Sequence, residues 1–159
     1  MAAHEKADDA RAIRTLIRNQ FRSGLQWTPE RAADWATFAS GFLPEASLFP
    51  ATRPVNRQTV DAFIARMSGL ARDKLRSFEE TMLGADVLVF GNVAMALAAS
   101  RLIENGTDVN HDVTAFLLVR NEGKWRIAAQ AWDHESEASP IPAHLRRPWN
   151  GHDRDPITP

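Results

Sequence analysis

Between residues 5 and 24, apolar side chains return every three or four positions, at Ile13, Leu16, Ile17 and Phe21, with Arg11, Arg14 and Arg18 among them. That period predicts a helix with one buried face. Thr28-Pro29-Glu30 has the chemistry of a helix start, a capping hydroxyl followed by a proline suited to the first helical position. The second helix so predicted carries Trp35 and Phe38 and stops near Gly41, and residues 42–49 follow as a short extended piece. Pro50 and Pro54 punctuate a loop. A third helix is predicted from about Arg57, with Asn56 as its cap and Val60, Phe63, Ile64, Met67 and Leu70 as its apolar stripe. Gly69 and the charged run Arg72-Asp73-Lys74 suggest its end.

The pattern then changes. Residues 77–90, 93–104, 109–121 and 124–135 read as four long strands, separated by Gly91-Asn92, Asn105-Gly106 and Glu122-Gly123, all turn dipeptides. Helices first and a strand meander after predict an α+β domain over residues 1–136 with an antiparallel sheet. Residues 137–159 contain Pro140, Pro142, Pro148, Pro156 and Pro159 and are expected to form an extended tail with a loose end. Leu145 and Trp149 are the tail side chains expected to tuck against the body or a partner subunit. Both parities of the last two strands are apolar: Phe116, Leu118, Ile127 and Ala129 on one, Val113, Leu117 and Val119 on the other. A solvated face would alternate with polar residues. One face is therefore expected against the helices and the other against a second copy of the chain, in a homodimer.

Composition narrows the functional classes. The 159 residues carry a net charge of −1 with scattered Lys and Arg, so nothing recruits nucleic acid or an acidic membrane surface. The absence of cysteine excludes disulfides, thiolate metal sites and cysteine nucleophiles. The polar first residues do not resemble a secretory signal and no apolar run has bilayer length, so a cytoplasmic location is the expectation. No Gly-rich phosphate loop or nucleophilic serine motif occurs.

The order of elements, with Asp34-Trp35-Ala36-Thr37-Phe38, Glu45-Ala46-Ser47-Leu48-Phe49-Pro50, Val60-Asp61-Ala62-Phe63-Ile64 and the closing segment 116–127 (a strand ending in Arg120, the Gly123 turn, then Trp125-Arg126-Ile127), resembles the nuclear transport factor 2-like superfamily over roughly residues 8–136. That group includes ketosteroid isomerase and the SnoaL-like polyketide cyclases. The resemblance implies a cone-shaped curved antiparallel sheet wrapped around three helices, a pocket inside the cone, and frequent dimers. It does not imply a reaction, because one fold hosts many functions.

A two-residue turn at Glu122-Gly123 sets Ala115 opposite Gln130, Val113 opposite Trp132 and His111 opposite His134. By resemblance to ketosteroid isomerase these six face the pocket. Thr114, Phe116, Leu118, Ile127, Ala129 and Ala131 then form the dimer surface. Ketosteroid isomerase chemistry needs a carboxylate base, a tyrosine and a protonated aspartate. The matching acid positions here are Phe49, before Pro50, and Ala115, and the chain has no tyrosine. That reaction is not expected, nor is a tyrosine-dependent dehydration.

Two readings remain. In the first, the protein binds a small apolar metabolite in a pocket lined by Phe49, Val113, Ala115, Gln130 and Trp132, with Trp35 and Trp132 available to stack on a flat ligand. In the second, it is a cofactor-free SnoaL-like cyclase, isomerase or lyase with His134 or His111 as general acid/base. Against the second stands the reading of both histidines as solvated rim residues. No metal is expected, since the two histidines lack a third ligand: Asp112 and Asp133 are placed on the outer parity, and His144 and His152 in the tail. Asp34 reads as a capping residue more readily than as a pocket acid. One of Glu79 and Glu80 faces inward, as a base or, if paired with a residue such as Arg101, as a structural group.

Overall fold

A computed structural model describes residues 2–147. Its elements run α1 (Ala2–Gly24), β1 (Gln26–Trp27), α2 (Trp35–Ser40), β2 (Phe42–Phe49), α3 (Val60–Asp73), β3 (Phe78–Phe90), β4 (Val93–Glu104), β5 (Asp108–Asn121) and β6 (Lys124–His134). The six strands form one curled sheet in the order β1-β3-β4-β5-β6-β2. Every pairing is antiparallel except β2 with β6, which makes the sheet mixed. The helices fill its concave side. Ile13, Ile17 and Phe21 of α1 and Phe63 and Met67 of α3 are buried against Phe78, Val87, Phe116, Leu118 and Ile127 of the sheet.

Two local expectations are corrected. The second helix does not start at Thr28. Thr28 Oγ1 instead accepts from the backbone N–H groups of Glu30 and Arg31 and closes a tight turn. The helix starts six residues later, where the Asp34 carboxylate accepts from the Thr37 N–H, the cap that an orphan helical donor requires. The cap of α3 is likewise Thr59, whose hydroxyl accepts from Ala62 N–H, and not Asn56. The two-residue strand β1, too short to show a period, places Trp27 against Phe78 with ring centroids 4.9 Å apart.

The closing hairpin follows the expected register only next to its turn. Glu122 and Gly123 take φ of 51° and 75°, the left-handed pair that a two-residue hairpin turn needs. Asn121 opposes Lys124, Arg120 opposes Trp125 and Leu118 opposes Ile127. Then Leu117 opposes Ala129, so Ala128 is an extra residue in β6. Beyond this bulge every pair is moved by one, and Phe116 faces Gln130, Thr114 faces Trp132 and Asp112 faces His134. A bulge reverses which parity points inward. Trp125 and Ile127 are buried before it, and Gln130 is buried after it.

The assignment of faces changes accordingly. Gln130, Trp132 and His134 do face the helices, but their neighbours are the even residues of β5. Thr114, Phe116, Leu118 and Ile127, expected on the outer surface, are buried inside. Val113 and Ala115, expected inside, lie on the convex face with Ala129 and Ala131, because the bulge restores alternation one residue out of step. Phe49 is also turned away, since its neighbour Leu48 is the fully buried one.

The first part of the tail is part of the body. Ile141 and Leu145 are buried against Ala99, Leu83 and Val113 on the convex face. A 3₁₀ turn (Ala143–Arg146) holds them there. His144 Nε2 lies 2.6 Å from Asp86 Oδ2, and Glu135 receives both the Ile141 N–H and the Arg146 guanidinium. Trp149, His152 and Pro148, Pro156 and Pro159 lie outside the described residues. The strap passes so close to Gly84 that a Cβ there would sit 2.8 Å from the carbonyl oxygens of both Leu145 and Arg147. Gly84→Ala is therefore expected to lower unfolding stability by about 1–3 kcal/mol, as overpacking against backbone does. Urea denaturation measures it, and hydrogen exchange is expected to show residues 141–147 losing protection.

Candidate active-site cavity

Inside the cone, the inward side chains of four strands and two helices enclose a cavity of about 200 Å³. Its apolar walls come from Phe21 of α1 and Leu25 just after it, α3 (Phe63, Met67, Leu70) and the sheet (Phe78, Leu102, Trp132). Its polar groups are Glu80, Glu104, Asp112, Thr114, Gln130, His134 and, from α3, Arg66. Phe63 and Trp132 meet edge to face at 5.7 Å and form the firmest part of the wall.

The register created by the Ala128 bulge lines up a polar row across the sheet. Ser100, Asp112 and His134 are direct neighbours on β4, β5 and β6. His134 Nδ1 lies 2.6 Å from Asp112 Oδ1. The Ser100 hydroxyl, fully buried, donates to Glu80 Oε1 at 2.7 Å, which extends the row to β3. The Asp112 side chain is only 4% exposed and that of His134 is 65% exposed. The dyad thus has a buried carboxylate and an imidazole at the cavity mouth, whose Nε2 has no protein partner among the described residues.

Electrostatics follow from that burial. Loss of water is the main influence on Asp112 and raises its pKa, with the hydrogen bond from His134 opposing it. The same bond to Asp112 raises the pKa of His134. Glu80 is buried, and desolvation, opposed by the hydrogen bond from Ser100 and aided by the charge of Asp112, pushes it up to about 8. At neutral pH Glu80 is therefore a neutral acid.

No family model matches the chain. No curated protein matches it by sequence either. Solved structures do. A protein of Novosphingobium aromaticivorans described as NTF2-like with a cystatin-like fold superposes with TM-score 0.69 at 17% identity, over 87% of this chain and 90% of that one. An uncharacterised cystatin-like protein of Caulobacter vibrioides gives 0.63 at 16% identity, over 81% and 91%. A further N. aromaticivorans protein, provisionally named a scytalone dehydratase, gives 0.66 at 11% identity, over 84% and 89%.

This chain has the NTF2-like fold.

Within the NTF2-like cone, the site residues expected from sequence separate into two groups. Gln130, Trp132 and His134 line the cavity. Val113, Ala115 and Phe49 do not, for the reason of register given above, and Trp35 is not among the lining residues either. Trp35 stands behind Phe63 in an aromatic cluster, 6.4 Å from Phe63 and 6.1 Å from Trp27. His111 faces the convex side, where its Nδ1 lies 3.5 Å from the Glu135 carboxylate. It pairs in register with Arg101 rather than with His134. Asp112, expected on the outer parity, is the partner of His134. Of the Glu79-Glu80 pair, Glu80 points inward and bonds Ser100, not Arg101. The parity of β3 signalled one inward carboxyl, whereas nothing in the sequence near Ala128 signalled the bulge that brings Asp112 inside. No group of three or more His, Cys, Asp and Glu among the described residues is arranged to hold a metal. No described helix is long and apolar enough to cross a membrane.

Glu80 gives a pH signature. The unfolded side chain releases its proton near 4.5, while the folded one keeps it to about 8. The folded state binds more protons across that window, so stability falls as pH rises, by up to about 1.4 kcal/mol per pH unit from this group, and levels off above it. Glu80→Gln is expected to remove that slope and to be the more stable protein at pH 8. Urea titrations at pH 5, 6.5 and 8 read the effect, and parallel pH profiles for the two proteins would disprove it.

Proposed function

We propose that the protein is a cofactor-free general acid–base catalyst that moves a proton on a small, largely apolar molecule held inside the cone, in the manner of an isomerase, lyase or cyclase. The single observation carrying this reading is the contact of 2.6 Å between buried Asp112 and His134 at the edge of an apolar cavity. A carboxylate behind an imidazole orients the ring and stabilises its protonated form, leaving the other nitrogen to exchange a proton with whatever occupies the cavity. Nδ1 faces Asp112, so Nε2 is the exchanging atom. Neutral Glu80, deeper in, supplies a hydrogen-bond donor for an oxygen on which negative charge develops. Phe63, Trp132 and Leu102 supply an apolar wall for the body of such a molecule.

A pure binding protein needs no such dyad, since a buried carboxylate beside a titratable imidazole costs stability that a fully apolar wall would not. For this reason catalysis is preferred over binding alone. His134 and not His111 carries the role. The name of the scytalone dehydratase-like neighbour belongs to the same broad class of proton-transfer chemistry.

Two measurements test the reading. In ¹⁵N-imidazole NMR titrations, His134 is expected to titrate above the usual histidine range and Asp112→Asn to bring it back toward that range. A panel of cyclic enones and aryl ketones in D₂O is expected to yield at least one compound that exchanges or isomerises, with His134→Asn slowing it about 10²–10⁴-fold. Equal rates for wild type, His134→Asn and Asp112→Asn would end the proposal.

The convex face supports a second element, self-association. Leu88, Phe90, Val93, Met95, Leu97 and Leu117 are exposed there, Phe90 at 80%. They occupy adjacent register positions on β3, β4 and β5, on the half of the face that the strap leaves open. None is charged, and a contiguous exposed apolar patch rimmed by polar residues marks an association surface. The homodimer we propose therefore uses these residues, with Ala115 and Ala131, in place of the buried Thr114, Phe116, Leu118 and Ile127. Light scattering is expected to give a dimer for the wild type and a monomer for Met95→Glu/Leu117→Glu. A wild-type monomer at tens of micromolar would refute it.

A further inference from the structure

The geometry points to an anionic ligand: the cavity takes a one- or two-ring apolar compound bearing a carboxylate, with Arg66 holding the carboxylate at the mouth. This assignment rests on the cavity of the proposed catalyst and names its substrate class.

Arg66 is the one guanidinium among the lining side chains. It projects from α3 between Phe63 and Met67, both of which line the same space. Its guanidinium carbon lies 5.4 Å above the centre of the Phe63 ring, and Phe63 in turn abuts Trp132. The charge thus sits over the aromatic wall within cation–π distance. Partial withdrawal from water lowers its pKa. No carboxylate lies within ion-pair distance of it among the described residues, and its hydrogen bond is a long one of 3.5 Å to the neutral Gln58 Oε1. Glu104, the lining carboxyl at the end of β4, forms no ion pair with it among the described residues.

Two other arginines are satisfied by carboxylates. Arg120 sits 2.9 Å from Asp9, stacked on Trp125, and joins the hairpin to α1. Arg146 meets Glu135 in the strap. Arg66 has the same aromatic support as Arg120 but lacks the carboxylate. A planar, bidentate donor fork laid on a ring at the lip of an apolar cavity fits a carboxylate joined to a flat apolar body. The three lining carboxyls do not repel such a ligand equally. Glu80 is neutral at pH 7, and Asp112 is compensated by His134.

Isothermal titration with 2-naphthoate and its neutral isostere 2-naphthamide tests this. The wild type is expected to prefer the carboxylate by about tenfold or more, the worth of one charge-assisted bidentate contact. Arg66→Gln is expected to abolish the preference while leaving naphthamide affinity, and hence the fold, unchanged, and Arg66→Lys to restore part of it. His134→Asn is expected to keep the preference. Equal binding of the two probes by wild type would overturn the anionic class and leave the dyad proposal standing. A preference that survives Arg66→Gln but disappears in His134→Asn would overturn the role of Arg66 and move the anion site to the dyad. Binding of neither probe would overturn this inference and the cavity on which the proposed function depends.

Discussion

Everything in the cavity depends on how β6 is offset against β5. Near the turn the two strands pair as an unbroken hairpin. At Ala128 one additional residue enters β6, and from there to His134 each side chain meets a different neighbour. The displacement is small in distance and large in consequence, because a one-residue slip in a strand transfers a side chain to the opposite face. It draws Asp112 beneath His134 and leaves His111 outside. The irregular stretch of β2 between Phe42 and Ser47, where Glu45 adopts a left-handed conformation, lies beside the same point of β6. A further irregularity between Met82 and Gly84 does the same for β3. These breaks bend a sheet that would otherwise be flatter and so create the hollow at all.

The polar row spanning four strands is costly to bury. Glu80 and Asp112 are both withdrawn from water, with one serine and one exposed imidazole as partners. Elsewhere the chain pairs its buried charge more fully: Asp9 receives two hydrogen bonds from Arg120 and one from the Trp125 indole. That contrast separates the two networks. The Asp9 cluster fastens α1 to the hairpin, whereas the Glu80-to-His134 row leaves proton-binding capacity unspent and faces open space. Unbalanced carboxyls in a hollow are what proton-transfer sites require.

Much of the architecture was legible in the chain. The long strands, their turn dipeptides and the stripes of α1 and α3 carried enough periodicity to set element order, and short motifs such as Trp125-Arg126-Ile127 carried the likeness to the NTF2-like group. The site was legible by half. The likeness to ketosteroid isomerase placed Gln130, Trp132 and His134 inside, yet counting from the turn gave them the wrong β5 neighbours, because alternation has no memory of a bulge made by an ordinary alanine. A bulge of this kind needs no glycine or proline, so Ala128 leaves no compositional trace. Trp35 was drawn toward the pocket by its chemistry, but its position one helical turn before Phe38 directs it into the aromatic cluster. Arg66 was passed over because a lone arginine on a helix carries no pattern. Its meaning comes from the ring beneath it and the missing counter-charge.

The sheet margins carry a consequence of their own. One border is β1, two residues long, and the other is β2, interrupted by Pro44 and by the twisted backbone at Glu45. Along β3 the Arg14 side chain occupies the carbonyl of Ala85, and Leu25 accepts the N–H of Glu80. β1 itself covers only Phe78 and Glu79 of β3, while Pro44 in β2 offers no N–H to an added strand. Lateral addition of a strand is therefore disfavoured at the β2 rim, whereas the outer edge of β3 beyond Glu80 keeps main-chain groups that β1 does not reach.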